Sequence, residues 1–175
     1  MKQFQSLISA MLVLTITFSA CTGATENSAT ENADTSMAAS SENTADANQL
    51  KLEENKKFVT EFYQALYGDK DSNAIDKYVA DNVIEHNPLA KDGKEWLRNA
   101  VRPFFSNPNI EKVKIDIKRI AADGDLVWLH VRDVAPNGKV FARVNIFRVE
   151  NGKIAEAWKV SEEVPKKSEN TNTMF

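Results

Sequence analysis

The pair Asn151-Gly152 sits between two runs of strand-forming residues in VFARVNIFRVENGKIAEAWKV, and it constrains the chain more than any other feature. A two-residue type I′ turn needs positive φ at both central positions, which asparagine and glycine tolerate. The spacing predicts a hairpin with a fixed register: Glu150 facing Lys153, Phe147 facing Glu156 and Asn145 facing Trp158. Because side chains alternate along a strand, one face is expected to carry Arg143, Asn145, Phe147, Glu156, Trp158 and Glu162. The other is expected to carry Ala142, Val144, Ile146, Arg148, Ala155, Ala157 and Lys159. Aromatic rings mixed with charged and amide groups suit a pocket wall. An open sheet with one solvated face accounts for the same pattern.

Helices precede the hairpin. Phe58, Val59, Phe62 and Leu66 form one stripe at helical spacing, predicting a first helix over 50–67 that stops at Gly68. A short second helix over 72–79 buries Ile75, Tyr78 and Val79. Pro88 biases Asn87 toward extended backbone, so Val83-Ile84-Glu85-His86-Asn87-Pro88 runs extended. Asp92 and Glu95 read as a capping box for a third helix that turns Trp96, Leu97, Ala100, Val101 and Phe104 inward. Strands follow at about 110–121, 125–134, 139–149 and 153–163, with turns at Asp123-Gly124 and Asn137-Gly138. A two- or four-residue loop at 135–138 puts Trp128, His130 and Arg132 on the face of Arg143, Asn145 and Trp158; a three-residue loop reverses this. Helices followed by a meander define an α+β fold, three helices packed on a curved antiparallel sheet.

The N-terminal third reads differently. Residues 1–20 hold a basic second residue and an apolar run from Leu7 to Phe18, a secretory signal too short to span a membrane. Phe18-Ser19-Ala20-Cys21 resembles the lipobox of bacterial lipoproteins, which implies lipidation of Cys21 and a lipid anchor in the cell envelope. In a diderm cell this means the outer membrane or periplasmic face, since Thr22 is not the aspartate associated with inner-membrane retention. Residues 21–49, poor in large apolar side chains, read as a disordered acidic tether ahead of a domain over 50–175. That domain keeps 20 acids and 21 bases of the chain's 25 and 22, so nothing in its charge points to nucleic acid. One cysteine excludes an intramolecular disulfide, and two separated histidines fall short of a metal-ligand set.

The order of elements, with VIEHNP, NIFRVENGKIAEAWKV and the terminal NTMF, resembles the SnoaL-like branch of the nuclear-transport-factor-2-like superfamily across 53–175. The resemblance implies a cone with a deep pocket, dimerisation through the sheet, no cofactor, and functions ranging from aldol cyclisation, isomerisation and epoxide hydrolysis to plain ligand binding. Members close to this pattern read V-D-I-F-R and E-H-W-D-V, where this chain has Asn145, Ala157 and Lys159. Asparagine donates and accepts hydrogen bonds but is no base.

Two histidines remain for proton transfer. His86 or His130 is the candidate base, Asn87 or Asn145 the donor to a developing oxyanion, and Glu156 beside Trp158 the candidate carboxylate. Asn87, Trp128, Arg143, Asn145, Glu156 and Trp158 are the expected ligand-binding residues. The plainer readings stand beside these: His86 hydrogen-bonding backbone at a strand end, His130 a satisfied core histidine, core tryptophans and a diagonal Arg143–Glu156 ion pair across strands. Three functions compete. The first is a lipid-anchored carrier of a small, mostly apolar or carbonyl-containing molecule. The second is an aldol-condensing or isomerase-type enzyme using His86 and His130. The third is a module that dimerises or docks a partner through Ala142, Ala155 and Ala157.

Overall fold

The structure, a computed structural model, describes residues 34–107 and 109–175. The readings placed on residues 1–20, on Cys21 and on the first part of the tether lie outside these residues.

Helix α1, Asp34–Tyr63, runs on into a single π-type turn, Gln64–Gly68. It starts ahead of position 50 and reaches back into the segment read as a tether, where Ala38, Ala39, Ala45 and Ala47 favour helix. Residues 44–50 are all exposed and add nothing to the core. The expected stripe does the packing: Val59, Phe62 and Leu66 are buried, and Phe58 packs against them.

At the π-turn the chain is held against the segment leading into the sheet. The Gln64 side chain accepts from the Ile115 N–H (2.9 Å) and donates to the Val113 carbonyl (3.0 Å). Gly68 is required there, because a Cβ would stand 2.6 Å from the Val113 oxygen.

Helix α2, Asn73–Tyr78, buries Ile75 and Tyr78 as expected, and Lys153 donates to its Asp76 and Lys77 carbonyls (3.2 and 2.6 Å). Strand β1, Val79–Glu85, then leads to helix α3, Lys94–Phe105. No capping box forms. Gly93 occupies the N-cap with φ 93°, and the Asp92 carboxylate instead accepts from the Glu85 N–H at 2.8 Å. The inward stripe is Leu97, Val101 and Phe105 at i, i+4 spacing, which leaves Phe104 exposed.

Strands β2 (Asp116–Asp123), β3 (Leu126–Val134), β4 (Val140–Glu150) and β5 (Lys153–Glu163) form the antiparallel meander. The sheet order is β1-β5-β4-β3-β2, and β1 pairs parallel to β5, so the α+β sheet is mixed rather than purely antiparallel. Asn151 and Gly152 adopt φ 50° and 68°, the type I′ geometry that the pair requires.

Two single-residue departures reset the faces. Val149 faces Ile154 but Arg148 faces Glu156, so Ala155 bulges out of β5. Beyond it Phe147 faces Ala157 and Asn145 faces Lys159, one residue away from the expected register. Between β3 and β4, Pro136-Asn137 form a turn closed by the Gly138 N–H to Ala135 carbonyl bond (2.8 Å), with Gly138 at φ 80°. The resulting odd-residue loop pairs Trp128 with Ile146 and His130 with Val144. The inner face, covered by the helices, therefore holds Val127, Leu129, Val131, Arg143, Asn145, Phe147, Ala157 and Lys159. The outer face holds Trp128, His130, Arg132, Val144, Ile146, Glu156 and Trp158.

Candidate functional site

The inner face of β4 and β5, together with β1, the start of α3 and the end of α1, encloses a cleft. Its apolar wall is Phe62, Val79, Val83, Leu97, Phe147 and Ile154. Tyr67, Glu85, Asn87, Lys91, Asn145 and Lys159 bring polar groups to it, and Gly93, Trp96, Ala157 and Trp158 complete the border. The enclosed space is only about 70 Å³, well below the roughly 300–1,000 Å³ of most small-molecule sites. A ligand of any length would have to part the side chains.

Asn145 is 5% exposed, and its amide donates to the Tyr63 hydroxyl at 3.2 Å, a buried pair tying β4 to α1. Burial raises the Tyr63 hydroxyl well above its ordinary value, so it stays a neutral hydrogen-bonding group. Tyr67 is 36% exposed as a whole residue, yet its hydroxyl is pushed up to about 12, first by burial and then by the Glu85 charge. Its polar end is therefore the buried end, and Glu85 is close to it. The Glu85 carboxylate accepts from the Asn87 N–H (3.0 Å), and Asn87 accepts from the Leu89 N–H (3.1 Å), which shapes the loop after β1. Lys159 is exposed in part, but its ammonium is held below the ordinary lysine value, first by burial and then by the nearby Arg143 cation. Glu85 and Asp133 oppose that shift. Arg143 pairs with Asp133 at 2.8 Å and stands next to Asn145 on the inner face.

The sequence-based candidates are thus divided between two faces. Asn87 and Asn145 line the cleft and Arg143 adjoins it, whereas Trp158, expected on the same wall, faces outward opposite Ile146 and only its place in β5 borders the cleft. His130 lies on the outer face, where it contacts Arg119 (3.3 Å) and stacks with Phe175 at 5.8 Å between ring centroids. Trp128 shares that face. His86 stacks on Trp158 at 4.4 Å and lies 3.4 Å from Glu156, whose other oxygen accepts from Arg148 at 2.9 Å. The two histidines do not share a site, and the expected Arg143–Glu156 pair is replaced by Arg148–Glu156 because the bulge moved Glu156 across the sheet. Ala157, expected on a docking face, lines the cleft.

Sequence reasoning missed Glu85, Tyr63, Tyr67 and Lys91. Glu85 carried a readable signal, since it precedes His86 in an extended stretch and must face the opposite way. The three departures from the resembling pattern, Asn145, Ala157 and Lys159, come together: Asn145 and Lys159 face one another, and Ala157 is two residues from Lys159 on the same face.

A helix layer on a curved five-stranded mixed sheet, with a cleft between the two, defines the cone-shaped class of nuclear-transport-factor-2-like domains. The model of the SnoaL-like domain family matches residues 59–157, and the chain belongs to that family. Among solved structures it is similar to an NTF-2 like protein of unknown function from Burkholderia xenovorans LB400, with 21% identity and a TM-score of 0.53, covering 67% of this chain and 89% of that one. An NTF2-like protein of unknown function from Cytophaga hutchinsonii gives 21% and 0.52, covering 62% and 89%. An LEH-like epoxide hydrolase from M. tuberculosis gives 19% and 0.53, covering 64% and 85%. At these identities the likeness is one of fold. No curated protein matches the chain significantly.

Proposed function

We propose that the cleft binds a small, mostly apolar molecule without turning it over, and that the domain is held at the bacterial envelope by a lipid on Cys21. The observation that carries the binding reading is the makeup of the inner wall. Its amide, methyl and ammonium side chains, Asn145, Ala157 and Lys159, stand where the family pattern has two carboxylates and an imidazole, and both histidines side with the outer-face residues. What remains is an apolar wall with a few orienting polar groups, the usual composition of a binding site.

Native mass spectrometry of the protein purified from its own host tests the reading. A discrete added mass that also raises the melting temperature on re-addition is expected, because a ligand selective for the folded state stabilises it. A bare mass, with no thermal shift across a panel of apolar compounds, would refute it. Replacing Cys21 by serine is expected to move the protein from the membrane fraction to the soluble one.

A second reading, an isomerase- or aldol-type enzyme, is favoured by one observation: the Glu85 carboxylate lines the same cleft as Asn145 and Tyr67. Turnover of carbonyl compounds that is lost in Glu85→Gln but kept in His86→Ala and His130→Ala would establish it.

A further inference from the structure

The cleft has more positive charge than its own carboxylates satisfy. Lys159 and Lys91 both line it, and neither ammonium has a hydrogen bond or ion pair among the described residues. By contrast, Lys94 is paired with Asp81 (2.6 Å) and Arg148 with Glu150 and Glu156 (both 2.9 Å).

Register places Arg143 diagonally from Lys159, since Asn145 faces Lys159 and Arg143 faces Ser161. Diagonal neighbours in a sheet lie about 7–8 Å apart, a span that one small anion can bridge. Arg143 is itself incompletely satisfied. One guanidinium arm binds Asp133 at 2.8 Å, while its Nε is buried with no hydrogen-bond partner. Buried donors are nearly always paired, so an orphan on a cation calls for an acceptor.

The carboxylates that face this region are both engaged, Asp133 with Arg143 and Glu85 with the Asn87 N–H. Lys159 feels Arg143 as an unfavourable neighbour, and an anion between them would reverse that.

We propose that the ligand of this cleft carries a carboxylate head, held between Lys159 and Arg143 beside the Asn145 amide, with its apolar part along Phe62, Val79, Val83 and Leu97. This rests on the binding reading above and adds the chemical class of the ligand. An amphiphilic acid satisfies both halves of the site. Its carboxylate accepts from the two cations, and its hydrocarbon replaces water against the apolar wall.

The test is calorimetric titration of straight-chain carboxylates, hexanoate to dodecanoate, and of the matching neutral amides. Each series is run on the wild-type protein and on the Lys159→Met and Lys159→Arg variants. A charge-assisted hydrogen bond predicts a preference of about tenfold for acid over amide in the wild type. Lys159→Met is expected to abolish that preference without weakening the amides, and Lys159→Arg to retain most of it. Lys159 lies partly in solvent, so neither change threatens folding.

Equal affinity for acids and amides would overturn the carboxylate head while leaving the apolar cleft standing. An acid preference untouched by Lys159→Met would also overturn it, by placing the head elsewhere. Binding of neither series would overturn the binding reading and this proposal together.

Discussion

Asn145 shows how one residue can serve both fold and site. Its amide is buried and bound to the Tyr63 hydroxyl, so it joins the sheet to α1 at the wall of the cleft. Removing that hydroxyl with Tyr63→Phe leaves a buried donor unpaired, and urea unfolding is expected to show a loss of about 1–3 kcal/mol. An unchanged midpoint would mean that the amide finds another acceptor. Glu156 works on the other face. The Arg148 hydrogen bond holds its carboxyl below the ordinary 4.5, against the opposing effect of burial. A carboxyl that is more acidic in the folded state adds stability that is complete above pH 4.5 and is lost as the pH falls below it. Thermal melts of wild type and Glu156→Gln should therefore converge in acid and separate toward neutrality, wild type being the more stable there. A constant gap between them would show that Glu156 acts through packing alone.

At the level of elements, the chain announces its strands and turns clearly and its faces poorly. The Asn151-Gly152 turn, the stripe of Val59, Phe62 and Leu66, and Ile75 with Tyr78 all stand as their spacing implies. Parity was illegible for a physical reason. A bulge at Ala155 needs no special residue, and Pro136-Asn137-Gly138 accommodates loops of different length, yet each odd residue moves every later side chain across the sheet. Hence Trp128, His130, Arg132, Glu156 and Trp158, expected inside, stand outside, while Ala157 and Lys159, expected outside, line the cleft. Deleting Ala155 tests this. A flat register would drive Glu156 and Trp158 inward and Lys159 outward, so circular dichroism should show loss of the cooperative thermal transition. The π-turn offers a second test. Gly68→Ala sets a methyl 2.6 Å from the Val113 oxygen and against the Gln64 side chain. Overpacking of this kind costs about 1–3 kcal/mol in chemical denaturation. A neutral result would show that the Val113 segment can give way.

For the molecule as a whole, the two faces of the sheet are differently built. The inner face closes a cleft under the helices, whereas the outer face keeps apolar side chains in solvent: Val160 is 67% exposed, Val144 faces it across the β4–β5 ladder, and Ile84 lies on the neighbouring strand. Trp158, Ile146 and Trp128 extend the same surface. Arg132, Arg148 and Glu156 share this face, so a second copy covering it would bury apolar and charged side chains together. Such a dimer would put the partner on the side of the sheet away from the helices, so that binding in the cleft and pairing of chains would not compete. Sedimentation equilibrium is expected to show a concentration-dependent dimer, and Val160→Glu, which places a charge in the middle of the contact, to weaken it at least about tenfold. Ligand affinity should be unchanged in that variant, because position 160 points away from the cleft. A wild-type protein that stays monomeric at every concentration would refute the dimer and leave the exposed valines to another partner. A Val160→Glu variant that also loses its ligand would show instead that the two faces are coupled through β5.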